Sequence, residues 1–192
     1  MKDSLLVHKG IDNLQYIILT NTVLLMKRLF SIFILLILIG CGEKKSVDEL
    51  ITEANTNLNE NKVPEAVLLF EEIINEYPDS DKTPEILSRL ASVYQNKMLK
   101  NLSDTESLEK AVSLFRKIYD DYPESSYAPT GLFMSGFVLA NELNYYDKAT
   151  ETYNIFLEKY PTHELATSAK EEIENMGLSP EEILEKNLTK ED

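Results

Sequence analysis

Apolar residues recur at helical spacing through most of the chain beyond residue 45. Ala66, Leu69, Phe70, Ile73 and Tyr77 fall at i, i+3, i+4, i+7 and i+11, one stripe along a helix, while Glu71, Glu72, Asn75 and Glu76 fill the other face. The stripe returns twice without gaps. Ala111, Leu114, Phe115, Ile118 and Tyr122 form the second copy; Ala149, Tyr153, Phe156 and Tyr160 form the third. The leading alanines are 45 and 38 residues apart. Each copy ends in Tyr-Pro, at Pro78, Pro123 and Pro161. Proline lacks an N–H and restricts the residue before it, so Tyr-Pro ends the helix. These stripes read as core packing without chemistry of their own.

Further helices are predicted between the stripes. Residues 84–99 carry Ile86, Leu87, Leu90, Ala91, Val93, Tyr94 and Met98, and residues 127–143 carry Ala128, Leu132, Phe133, Gly136, Phe137, Leu139, Ala140 and Leu143. Val47, Leu50, Ile51, Ala54 and Leu58 give a matching helix before the first stripe, and Leu165, Ala166, Ala169 and Ile173 give one over 163–175. Ser46 with Glu49, Ser103 with Glu106 and Ser179 with Glu182 have the spacing of capping boxes. Pro180 stands at a first helical position, and Gly177 is a natural stop. Residues 100–107 read as an insertion in a loop. No segment alternates with period two for long enough to make a strand, so the expected class is all-α.

Helix pairs whose second member is marked by Ala, an aromatic and Pro resemble tetratricopeptide repeats. Ala54 stands twelve residues before Ala66, as the small residue of that family's first helix does. The resemblance implies a right-handed α-solenoid of about three helix pairs, over 46–78, 79–123 and 124–161, closed by a capping helix at 162–176. A short helix and tail follow at 177–192. The Tyr-Pro-x-Ser ending, with Ala128-Pro129 after the second copy, is similar to a narrower group. That group includes the lipoprotein of the outer-membrane β-barrel assembly machinery and the periplasmic coordinator of the Tol-Pal system. The chain departs from both, having room for three repeats where the former has five, and no amino-terminal coiled coil like the latter's. Leu50 replaces the family's aromatic at the start of the first helix.

The first forty residues are a different material. Residues 29–39 are apolar apart from Ser31, and Lys27 and Arg28 precede them. Eleven residues span roughly 17 Å as a helix, short of the ~30 Å hydrocarbon core, whereas a basic start followed by a short apolar run is the pattern of a signal peptide. Leu38-Ile39-Gly40-Cys41-Gly42 then resembles the lipobox of bacterial lipoproteins. That resemblance implies acylation of Cys41, cleavage before it, and an outer-membrane destination facing the periplasm of a diderm bacterium. Two or three acyl chains on one residue give stable anchoring. The expected layout is a signal peptide over 26–40 and a lipidated linker over 41–45. Residues 1–25, with a second apolar stretch at Tyr16–Met26, read as an upstream extension before a true start at Met26. The alternative is a two-segment membrane hairpin.

Charge narrows the partners. The 192 residues carry 19 basic and 33 acidic side chains, a net −14. Without Lys2, Lys9, Lys27, Arg28, Asp3 and Asp12 of the first forty, 15 basic and 31 acidic groups remain, a net −16. Nucleic acid and polybasic lipid contact are disfavoured, since both need a cationic face. One Cys and two His leave little for a soft-ligand metal site. His163 stands where Ser80 and Ser125 stand in the earlier copies and reads as a cap or loop residue. The carboxylate pairs Glu71-Glu72, Asp120-Asp121 and Glu171-Glu172 lie on polar helix faces. No catalytic site, cofactor or small-molecule substrate is expected, the covalent lipid on Cys41 aside.

A solenoid presents a surface lined by the first helix of each pair. Its candidate partner-binding residues are Asn55, Leu58, Ser88, Ser92, Gln95, Phe133, Phe137 and Asn141. Phe133 and Phe137, at i and i+4, project together or pack on the neighbouring helix. Ile51 stands where the family's carboxylate clamp carries Lys, so apolar and amide-mediated peptide recognition is expected, by envelope proteins that are neutral or basic where they dock. The expected function is a lipid-anchored scaffold in outer-membrane protein assembly. The alternatives are Tol-Pal or cell-wall coordination, or a solute-binding lipoprotein of a transporter.

Overall fold

The computed structural model describes residues 26–27 and 44–190. The chain divides into two units, Met1–Lys45 and Ser46–Asp192. In the first, Met26 and Lys27 are helical and exposed. The apolar run 29–39, Cys41 and the extension 1–25 lie outside the described residues. Among the described residues no helix is long and apolar enough to cross a membrane.

The second unit is all-helical among its described residues. In chain order it comprises α1 (Val47–Asn59), α2 (Val63–Glu76), α3 (Thr83–Gln95), α4 (Asp104–Asp121), α5 (Tyr127–Phe137), a π-helical extension of α5 (Val138–Glu142), α6 (Tyr146–Lys159), α7 (Ala166–Asn175) and α8 (Pro180–Lys190). From α1 to α7 each helix packs on its sequence neighbours, and α3 also reaches α5 across the stack. This is the α-solenoid expected from the sequence.

The three stripes bury as their spacing requires. Ala66, Ala111 and Ala149 are fully buried, as are Phe70, Tyr153, Ile73, Ile118 and Phe156, with Phe115 nearly so. Each large apolar side chain so placed contributes on the order of 1.5–3 kcal/mol relative to exposure. One cluster joins α1 to α4 around Phe70, Leu87 and Phe115; a second joins α5 to α7 around Leu132, Tyr153 and Phe156. Gly131 lets α5 lie close on α4: a Cβ there would meet the Phe115 carbonyl oxygen at 2.8 Å.

The helix ends repeat as well. Tyr77, Tyr122 and Tyr160 close α2, α4 and α6 with φ of −133°, −130° and −128° and ψ of 50°, 55° and 53°. The first helices of the pairs end at Asn61, Lys97 and Asn144, with φ of 59°, 53° and 56°. A residue in this left-handed region ends a helix by turning its last carbonyls onto following N–H groups. Lys62 N–H thus reaches Asn57 O at 2.7 Å and Met98 N–H reaches Val93 O at 3.2 Å, each five residues back. In the third repeat Tyr145 N–H reaches Leu139 O at 2.8 Å, six residues back. One extra residue there is absorbed by the π-helical turn, where an uninterrupted α-helix over 127–143 was expected.

Three other expectations are corrected. The helix expected over 84–99 ends at Gln95, because Lys97 turns the chain, and the one expected over 163–175 starts at Ala166. Residues 100–107 are loop only as far as Ser103; 104–107 form an added first turn of α4. That turn is held because the buried Ser107 hydroxyl donates to Tyr94 O at 2.7 Å, while Leu99 and Leu108 enter the core. All three predicted capping boxes form, with Ser46, Ser103 and Ser179 Oγ each accepting from the Glu49, Glu106 or Glu182 N–H at 3.3 Å.

Candidate functional site

The first helices of the pairs, α1, α3, α5 with its π turn, and α7, share one face, and polar side chains link them in series. Arg89 Nη1 on α3 donates to Asn55 Oδ1 on α1 at 2.9 Å. Gln95 Nε2 on α3 donates to Glu142 Oε1 at the end of the π turn at 2.8 Å. Asn141 Nδ2 donates to Glu172 Oε2 on α7 at 2.9 Å. The adjacent residues Asn141 and Glu142 thus reach opposite ways, one to the following helix and one to the preceding. Lys82, at the start of α3, adds an ion pair to Asp48 on α1.

The eight candidate residues divide accordingly. Asn55, Gln95 and Asn141 are members of this ladder. Ser88 and Ser92 are half-buried, and the Ser92 hydroxyl turns back to the Ser88 carbonyl at 3.0 Å. Leu58 packs on the first core cluster and Phe137 on the second. Phe133 is not a surface residue. It is 8% exposed, with its ring centroid 5.5 Å from Tyr153 and 5.8 Å from Phe156. Gly136, on the same helix, leaves room for the Tyr153 ring that meets it. The sequence reading missed Arg89, Glu142 and Glu172, the other halves of the ladder. Arg89 also pairs with Glu85 one turn back at 2.8 Å, the only local sign of its position.

At the carboxyl-terminal end this face opens into a cleft of about 670 Å³ between the π turn, α7 and α8. Asn141, Asn144 and Asn175 line it beside Glu171, Glu172 and Glu182, and no Lys or Arg is among its walls. Two smaller grooves lie between the second helices of the pairs. One, of about 440 Å³ between α4 and α6, sets Glu109 and Glu151 beside Arg116 and Lys148 over Val112, Leu139 and Leu143. There the Tyr145 hydroxyl donates to Glu109 at 3.2 Å, and that carboxylate holds the phenol's pKa above its ordinary value. The other, of about 300 Å³ between α2 and α4, has Leu90 and Tyr94 at its base. Burial raises the Tyr94 phenol, and Lys110 lies 5.3 Å from its ring centroid. Among the described residues no group of three His, Cys, Asp or Glu is placed to hold a metal ion.

The Tetratricopeptide repeat family model matches residues 53–80, from the second half of α1 to the turn after Tyr77-Pro78. The chain therefore contains a tetratricopeptide repeat. No curated protein matches it. A repeat of this kind within an all-helical stack indicates a protein-interaction role, and this architecture typically serves scaffolds rather than catalysis.

Proposed function

We propose that the protein is a lipid-anchored scaffold of the bacterial cell envelope, held at the outer membrane through Cys41 and binding partner proteins on its repeat surface. Outer-membrane protein assembly is the process we favour. The observation that carries the reading is a lipobox-like Leu38–Gly42 only a few residues before Ser46, which caps the first helix of the stack. That spacing leaves a short tether between an acylated cysteine and an interaction domain. Partners dock on the face of α1, α3, α5 and α7 through surfaces that are neutral or basic, since the cleft at its end is lined by Glu171, Glu172 and Glu182.

Cys41→Ser tests the anchor. Wild type is expected to take up labelled palmitate and to fractionate with outer membrane; the variant is expected to do neither. A variant that still fractionates with outer membrane sinks the reading. Affinity capture from cells crosslinked while alive tests the process. Recovery of barrel-assembly subunits supports it, and recovery of Tol-Pal components or of a transporter instead replaces it.

A further inference from the structure

The turn after each Tyr-Pro is built three times on one plan. Ser80, Ser125 and His163 N–H donate to the carbonyls of Tyr77, Tyr122 and Tyr160 at 3.1, 3.0 and 3.1 Å. Thr83, Ala128 and Ala166 N–H then donate back to the carbonyls of Ser80, Ser125 and His163 at 3.0, 3.0 and 2.9 Å. The side chain at that position accepts from the backbone N–H two residues ahead. Ser80 Oγ accepts from Lys82 at 3.3 Å, Ser125 Oγ from Tyr127 at 3.2 Å, and His163 Nδ1 from Leu165 at 3.2 Å. His163 thus does in the third turn what serine does in the first two.

The substitution changes one property. A hydroxyl oxygen keeps its lone pairs at every ordinary pH, whereas an imidazole nitrogen accepts only while unprotonated. Imidazole is also the side chain whose ordinary titration falls between pH 5 and 8. We propose that His163 makes the junction between α6 and α7 a pH-sensitive joint: protonation withdraws the acceptor for Leu165 and frees the start of α7.

The surroundings leave that hydrogen bond as the part that responds. From α6, Phe156 and Tyr160 pack on the imidazole with centroids 5.8 and 6.4 Å away. Aromatic rings accommodate a cation, so the protonated ring keeps its seat. Tyr160 is the titratable group in contact, and burial keeps its phenol protonated above the ordinary range. Behind it stand Tyr119, near the end of α4 and 6.3 Å from Tyr160 between ring centroids, and Glu124, in the turn that follows that helix. Lys159, at the end of α6, pairs with Glu158 at 3.6 Å. Glu164 is the chain neighbour on the α7 side, and among the described residues no carboxylate forms an ion pair with His163. Downstream, α7 buries Ala166 and Ala169 in the second core cluster and carries Glu172 to Asn141. A loosened start of α7 therefore loosens one wall of the 670 Å³ cleft. The joint depends on neither the lipid anchor nor any partner.

Hydrogen exchange of the full chain in detergent, at about pH 8 and about pH 5.5 and corrected for intrinsic exchange, tests it. Peptides from α7 are expected to lose about fivefold in protection at the lower pH, the worth of one hydrogen bond. Peptides from α3 and α5, which follow the serine turns, are expected to stay constant. His163→Ser, which installs the residue of the other repeats, is expected to keep α7 protected at both pH values. The proposal is overturned by an α7 insensitive to pH, by an equal loss in α3 and α5, by the same loss in His163→Ser, or by an α7 unprotected in that variant at pH 8.

Discussion

The Tyr122 hydroxyl donates to the Pro78 carbonyl at 2.9 Å, so the second Tyr-Pro corner is fastened to the first across 44 residues of chain. Tyr122 both ends α4 and joins two repeats. Tyr122→Phe keeps the ring and removes the bond, a loss of about 1 kcal/mol for a neutral pair at a half-exposed site. For a domain of this size that lowers the melting temperature by roughly 3 °C. Thermal unfolding followed by circular dichroism checks it, and an unchanged midpoint would remove the link from the account of repeat stacking.

Tyr153 presents the opposite case. It is fully buried, and among the described residues its hydroxyl has no hydrogen-bond partner. Burial, with the Glu172 charge second, pushes its phenol far above the ordinary value near 10. A raised folded pKa keeps the proton on the native state, so this contribution to stability is complete below about pH 10 and is lost as pH climbs toward the folded value. Tyr153→Phe removes the stranded hydroxyl and is expected to stabilise the protein by about 1 kcal/mol. It should also flatten part of the alkaline loss. Urea midpoints at neutral pH and near pH 11 are the measurement; a lower midpoint in the variant at neutral pH would show that the hydroxyl has a partner.

Gly131→Ala sets helix propensity against packing. Alanine gains up to about 1 kcal/mol in a helix interior. Its Cβ, however, would stand 2.8 Å from the Phe115 carbonyl oxygen and 3.1 Å from Ile118 Cβ. Backbone cannot move aside as a flexible side chain can, so overpacking wins and a net loss of about 1–3 kcal/mol is expected. Gly136→Ala meets the Tyr153 ring at 2.9 Å, and because that ring is fully buried against Phe133 a loss of the same order is expected. Denaturant unfolding of the two variants measures both losses, and stabilisation by Gly131→Ala would count against so close an approach of α5 to α4.

What the chain makes legible is what depends on spacing. The alanine and aromatic positions of the three stripes bury as read, their closing tyrosines are half-buried, and Ser46, Ser103 and Ser179 cap as read, because each needs only neighbours within four residues. Phe133 was ambiguous for the complementary reason: spacing sets it beside Phe137 but does not say what stands opposite. The answer, Tyr153 and Phe156, arrives from another helix. The ladder is hidden in the same way. Glu142 and Glu172 look like ordinary solvated carboxylates, and their amide partners Gln95 and Asn141 lie 47 and 31 residues away. The π turn that aims Asn141 and Glu142 in opposite directions leaves no pattern in an apolar stretch that reads as one helix.

The capping boxes predict an acid limb. Glu106 is held below the ordinary carboxylate pKa by the Ser103 hydroxyl first and its backbone N–H second; for Glu182 the Ser179 backbone N–H comes first. A lowered folded pKa gives stability that is present above the ordinary carboxylate range and lost as pH falls through the folded value. Ser103 Oγ also caps the Glu106 N–H at 3.3 Å, so Ser103→Ala, which loses this cap together with the hydroxyl's bond to the Glu106 carboxylate, costs about 1 kcal/mol at neutral pH. Glu106→Gln separates the two effects. It keeps an acceptor oxygen for the Ser103 N–H, now 2.9 Å from the carboxylate, but has no proton to gain. Relative to wild type it is expected to be less stable near pH 7 and to converge on it near pH 3. Urea midpoints across that range read the difference; a gap that persists unchanged to pH 3 would assign the effect to shape and not to charge.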